Sequence, residues 1–213
     1  MEIVHLQNSF KKMSFALLIL TVYGCSSSTI KQEVNGSTST QQSANQTQVK
    51  CAGTNELPPE YVDAFEETVD AALLSQAVQE ADKGGLCQAK VYINKKNIVI
   101  PVYRAWNSTN PNSRLGKWWA FNRPEGKVST YRKDYEICYG YSPLDMLTQC
   151  NLKAGTKIVV GTGQSAMCDA YLTYPISASK QIYMVIDAQA PSVTDCKDYD
   201  GVFSWKPVAE SMR

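Results

Sequence analysis

The chain has 213 residues, 44% of them hydrophobic and 19% charged, with a formal net charge of +1. That near balance, without a Lys/Arg cluster, excludes the footprint of a nucleic-acid partner. The only histidine is His5, so a Ser-His-Asp triad, a Cys-His protease and a His-ligated zinc hydrolase are all excluded beyond the N-terminus as such sites are ordinarily built.

The N-terminus reads as a targeting segment. Lys11 and Lys12 form a short positive region, and residues 13–23 are an apolar run too short to span a bilayer as a helix. Val22-Tyr23-Gly24-Cys25 follows, and this resembles the lipobox of bacterial lipoproteins. The resemblance implies cleavage after Gly24, a lipid on Cys25, attachment to a membrane of the bacterial cell envelope and, with Ser26 next, sorting to the outer membrane. The expected organisation is a signal peptide over 1–24, a lipidated cysteine with a disordered Ser/Thr/Gln/Asn-rich tether over 25–50, and one globular domain over 51–213. Loss of residues 1–24 removes Lys11, Lys12 and Glu2 and leaves a formally neutral chain.

The domain begins with a predicted helix over 60–83. Pro58 and Pro59 precede it, Tyr61, Phe65, Val69, Leu73 and Val78 give one apolar face, and Gly84-Gly85 ends it. Period-two patterns follow. Ala89, Val91 and Ile93, then Ile98, Ile100 and Val102, read as a hairpin turning at 94–97, with Pro101 at an edge or bulge. Further strands are expected at 157–161, 171–176 and 181–186. Residues 107–151 are long, aromatic and rich in turn formers, a composition typical of functional loops. The fold class expected is α+β, an N-terminal helix packed on a mostly antiparallel, twisted sheet or partial barrel.

Seven cysteines are present. With Cys25 assigned to lipid, Cys51, Cys87, Cys138, Cys150, Cys168 and Cys196 form an even set that an oxidising compartment would pair as three disulfides. Six cysteines allow 15 connectivities. Local pairing is the expectation: Cys51–Cys87, Cys138–Cys150 and Cys168–Cys196. No C-x-x-C pair occurs, and no metal is expected. Gly163-Gln164-Ser165 lacks the glycine and the base of a nucleophile elbow, and Gly161-Thr162-Gly163 lacks the rest of a dinucleotide fingerprint. The latter is expected to be a tight turn ending a strand.

Four pieces stand in a suggestive order: a strand ending in Tyr103-Arg104-Ala105-Trp106; Gly116-Lys117-Trp118-Trp119-Ala120-Phe121, closed by Pro124; Ser129-Thr130-Tyr131-Arg132; and a late Gly155-Thr156 strand followed by Lys180-Gln181-Ile182-Tyr183. This order resembles the NAD-using toxin domains of bacteria, which include ADP-ribosyltransferase-like domains and the NAD-hydrolysing tuberculosis necrotizing toxin family. The resemblance covers residues 102–184. It implies NAD as substrate, Arg104 and Gln181 as catalytic residues, with Arg104 on the pyrophosphate and Gln181 near the reacting ribose, and Trp118, Trp119, Ser129 and Tyr131 as further NAD-binding residues. The chain departs from that group in having no glutamate on the late strand and no histidine beyond His5. Arg104 has a plainer reading, an ion pair with Asp134 or Glu136. The alternative for the whole domain is a non-catalytic envelope lipoprotein that binds a protein or glycan partner through its Trp/Tyr-rich loops, Tyr131, Tyr135, Tyr139 and Tyr141 among them.

Overall fold

A computed structural model describes residues 50–95, 98–187 and 191–209. The signal segment, the lipobox with Cys25 and the tether lie outside the described residues.

The predicted helix over 60–83 is replaced by three short elements. A 3-10 turn, Pro59–Ala64, is followed by strand β1, Phe65–Thr68, and by helix α1, Ala71–Ala77. The apolar spacing misleads at Val69, which is 90% exposed. One long-range pairing and one local preference explain the break. Phe65–Thr68 pairs antiparallel along the next strand, with Phe65 opposite Asn94 and Thr68 opposite Val91. Asp70 then starts α1 by accepting a hydrogen bond from the Leu73 amide at 3.0 Å, which a mid-helix aspartate could not do.

The remaining strands are β2 (Leu86–Asn94), β3 (Pro101–Trp106), β4 (Trp118–Ala120), β5 (Met146–Leu152), β6 (Lys157–Gly163), β7 (Ala166–Asp169), β8 (Leu172–Tyr174), β9 (Lys180–Tyr183), β10 (Val193–Asp200) and β11 (Lys206–Pro207), with helix α2 (Val128–Asp134) between β4 and β5. Nine of the described strands, β1 included, form one antiparallel sheet in the order β1-β2-β6-β9-β4-β3-β5-β10-β11, and β7 and β8 form a separate hairpin. The sheet is open, with β1 and β11 at its edges. The domain is therefore mostly β, not α+β.

The expected hairpin of β2 and β3 does not form, because β6, β9 and β4 lie between them. Pro101 opens β3 opposite Asn151 of β5, a first-residue position where a missing amide proton is tolerated. Gly161-Thr162-Gly163 lies inside β6, not in a turn. A Cβ at Gly161 would collide with the Gln88 carbonyl of β2, so close approach of two backbones explains that glycine.

Alternation along the strands builds two cores. Tyr92, Val102, Trp119, Cys150, Ile158, Val160 and Ile182 share one face. Val91, Val159 and Tyr183 point the other way and meet Leu73 and Ala77 of α1. Three disulfides bind the fold. Cys51–Cys87 forms as expected, but the other two pair as Cys138–Cys168 and Cys150–Cys196. Sheet order explains the difference. Cys150 on β5 neighbours Cys196 on β10, with Cα atoms 4.1 Å apart, while Cys138 in the loop after α2 meets Cys168 on β7.

Candidate functional site

Where β9, β4 and β3 run side by side, a cleft of about 510 Å³ opens, within the usual size range of small-molecule pockets. Its floor follows from register. Gly161 is opposite Gln181, Gln181 opposite Ala120, and Ala120 opposite Tyr103. Antiparallel partners share a face, so Gln181 and Tyr103 point the same way, as do Trp118 and Tyr183 in the next row. The rim comes from the turn before β2, with Gln79, Lys83, Gly84 and Gly85, and from the segment after α2, with Glu136, Ile137 and Tyr141.

Gln181 is 6% exposed, and its amide Nε2 donates to Glu136 Oε2 at 2.6 Å. The amide oxygen has no hydrogen-bond partner among the described residues. Glu136 is itself 4% exposed, and its second oxygen is enclosed with no hydrogen bond. Room for the carboxyl exists because residue 163 is glycine; a Cβ there would sit on it. Burial pushes the Glu136 carboxyl up to about 8. Ser177 and Gln181 pull it down, and the charge of Asp134 pushes it up. The Glu136 backbone is in the left-handed region, φ 50°, which costs a non-glycine residue free energy and must be enforced by its surroundings. Arg132 supplies part of that enforcement. Its buried guanidinium donates to the carbonyls of Ile137 (3.2 Å), Cys138 (3.3 Å) and Ser142 (2.6 Å) and stacks on Tyr139. The Cys138–Cys168 disulfide pins the same segment.

Arg104 lines the same cleft, although by alternation it starts from the opposite face to Tyr103. The strands β3 and β4 share a single register pair, Tyr103 with Ala120. In the gap beyond it, the guanidinium donates from Nε to the Ser113 carbonyl at 2.7 Å and from Nη1 to the Trp118 carbonyl at 2.8 Å. Gly116 packs directly against it. No carboxylate pairs with Arg104 among the described residues, so the expected ion pair with Asp134 or Glu136 is absent, and Glu136 bonds Gln181 instead. Burial lowers the Arg104 pKa while the nearby Tyr131 acts in the opposite sense. Lys83 and Lys117 add two more cationic groups to the lining.

Of the aromatic candidates, Trp118 is a wall, packed edge-to-face on Tyr183 with centroids 4.8 Å apart. Tyr131 stacks on Tyr135 at 4.4 Å, and both line the cleft. Trp119 is chiefly a core residue, 3% exposed, with its indole N–H on the Gly116 carbonyl at 2.7 Å. Ser129 lies exposed on α2 and does not line the cleft. Sequence reasoning missed Glu136, Lys83, Lys117 and Tyr183 as lining residues. For Glu136, the one available signal was Cys138 two residues on, since a disulfide there promised a fixed backbone.

Among the described residues no group of three or more His, Cys, Asp or Glu could hold a metal, and no helix is long and apolar enough to cross a membrane. No protein-family model, no curated protein and no solved structure matches the chain.

Proposed function

We propose that this chain is an NAD-consuming enzyme of the bacterial cell envelope, tethered by a lipid on Cys25, which cleaves the bond between nicotinamide and ribose. The observation that carries this reading is the meeting of Arg104, Gln181 and aromatic walls in one cleft. The half-buried guanidinium of Arg104 has no carboxylate partner among the described residues and attracts an anion, and a pyrophosphate can take the donor capacity left on Nη2. Trp118, half-buried in the cleft wall, offers an indole to a planar ring, with Tyr183 packed behind it. The free amide oxygen of Gln181 suits a developing positive charge, which is what bond cleavage at the ribose creates.

The reaction balances without a further reagent. The C–N bond breaks, its electron pair neutralises the pyridinium nitrogen, and the ribose becomes an oxocarbenium-like cation. Water adds to that carbon and loses a proton, giving nicotinamide, ADP-ribose and H⁺. A protein nucleophile in place of water would make the same site a transferase.

Incubation of the purified, oxidised protein with NAD, following nicotinamide release, tests the reading. Release is expected, with a loss of at least about tenfold in Arg104→Ala, because the arginine's charge-assisted bonds are worth more than neutral ones. No release and no NAD binding by the unmodified protein would overturn it. That result would favour the second reading, a non-catalytic binder of a protein or glycan, which is supported by the exposure of Tyr139, Tyr141 and Tyr171 at 62%, 68% and 99%.

A further inference from the structure

The buried contact between Glu136 and Gln181 has no structural necessity. Hydrophobic groups of similar volume would fill the space over Gly163 without burying a carboxyl. The contact does, however, decide which end of the Gln181 amide meets the cleft. An amide has a donor end and an acceptor end of nearly equal size, and its orientation is set by its neighbours. Here Nε2 is engaged by Glu136 Oε2 at 2.6 Å, so Oε1 is the end left for a ligand.

We infer that Glu136 is a positioning residue of the proposed NAD site: by accepting from the Gln181 amide it turns the amide oxygen toward the ribose carbon where positive charge develops. This deepens the proposed function and rests on it for the identity of the substrate. The placement of Glu136 is enforced from several sides: the left-handed backbone at 136, the three carbonyls held by Arg132, the disulfide at Cys138 and the hollow over Gly163. The groups that act on its carboxyl are Asp134 and Tyr135 from the end of α2, Ser177 from the segment before β9, and Gln181 from β9 itself. Gly163 on β6 contributes no charge.

The arrangement has a protonation dependence with a definite sign. An ionised Glu136 can only accept, which fixes Gln181 with its oxygen in the cleft. A protonated Glu136 carries an O–H donor of its own, whose natural acceptor is the same amide oxygen. Protonation thus competes for that oxygen and allows the amide to turn its N–H groups toward the ligand, where they oppose a cation. Activity therefore rises with pH through the ionisation of Glu136, which burial has moved to about 8. Glu136→Gln, isosteric and neutral, should resemble the protonated state at every pH.

Two measurements on the full, oxidised chain test this. The first is the Gln181 side-chain amide resonance, assigned by its loss in Gln181→Met and followed by nitrogen-15 NMR from pH 6 to 9.5 without substrate. It should titrate near pH 8, and the titration should vanish in Glu136→Gln. The second is nicotinamide release from NAD. The kcat/KM of the unmodified chain should rise through the same pH, while Glu136→Gln should be flat and lower by roughly 10–100-fold at pH 9, a loss comparable to that seen when a partner orienting a metal ligand is removed. Its melting temperature, measured alongside, shows that the variant is folded. A Gln181 amide that does not titrate, or a variant with the profile of the unmodified chain, overturns the inference. Titration as expected with no nicotinamide release at any pH would leave the Glu136–Gln181 coupling established and overturn the NAD reading and, with it, the role at the ribose.

Discussion

Glu136→Gln should also change stability in a pH-dependent way. In the unfolded chain this carboxyl loses its proton near 4.5, and in the folded chain near 8. Between those values the folded state holds one proton that the unfolded state has released. Stability against unfolding then falls as pH rises, by about 1.4 kcal/mol per pH unit. The contribution of the protonated carboxyl is thus complete below about 4.5 and is lost as pH rises through about 8. Summed over the window the loss is about 5 kcal/mol. Glutamine has no proton to lose, and the other titrating groups cancel when the two proteins are compared at the same pH. The expected result from urea denaturation of the oxidised proteins at pH 5 to 9 is a difference near zero at pH 5, less about 1 kcal/mol for a weakened bond to Gln181. By pH 9 the variant should be the more stable by several kcal/mol, or roughly 10 °C in melting temperature for a domain of this size. A difference that stays constant with pH would refute the claim that Glu136 is buried in the folded chain at the cost of its ionisation.

Other perturbations separate the parts of the site. Gly163→Ala would place a methyl group on the Glu136 carboxyl and should abolish nicotinamide release in a folded protein, whereas Gly140→Ala, where a Cβ meets nothing within 4 Å, should be silent in both activity and melting temperature. Replacing Cys150 and Cys196 together by alanine removes a link between residues separated by 46 positions and should lower the unfolding free energy by about 4 kcal/mol, read from urea midpoints. Raising the salt concentration should weaken the binding of ADP-ribose, measured by calorimetry, because Arg104, Lys83 and Lys117 line the cleft; nicotinamide alone should bind with no such dependence.

The legible parts of the sequence were those where one local pattern had no competitor. The run at β6 and the core positions of β9 alternate or cluster as strands do, and both formed where expected. In the region 60–83 helical spacing and strand pairing overlap, and the winning partner, β2, is fixed only once the sheet exists. The pairing of Cys150 with Cys196 was hidden for the same reason, since it depends on β5 and β10 being neighbours. At the site, Arg104, Trp118, Tyr131 and Gln181 were named from their order along the chain, and all four line the cleft. From the sequence alone Glu136 reads only as a salt-bridge acid. Its contact with Gln181 of β9 spans 45 positions and requires a glycine on a second strand, β6, a coincidence that no local pattern records.

The order of the strands has a bearing on how a ligand gets in. The thinnest place in the sheet is the single pair between β3 and β4, with β1, β2, β6, β9 and β4 on one side and β3, β5, β10 and β11 on the other. A fold with such a seam invites comparison with clamshell enzymes, whose two lobes swing apart to admit substrate. Here the chain is woven across the seam at every passage from β2 to β3, β3 to β4, β4 to β5, β5 to β6 and β9 to β10. So many crossings restrain rotation of one side of the seam against the other. Entry to the cleft therefore falls to the rim, to the turn at 79–85 and the segment at 136–144, and the second of these is fastened by a disulfide. If the cleft takes the proposed ligand, exchange should proceed by movement of side chains and short loops at the rim, and its rate should respond to substitutions at Lys83 or Tyr141 more than to any change in the sheet.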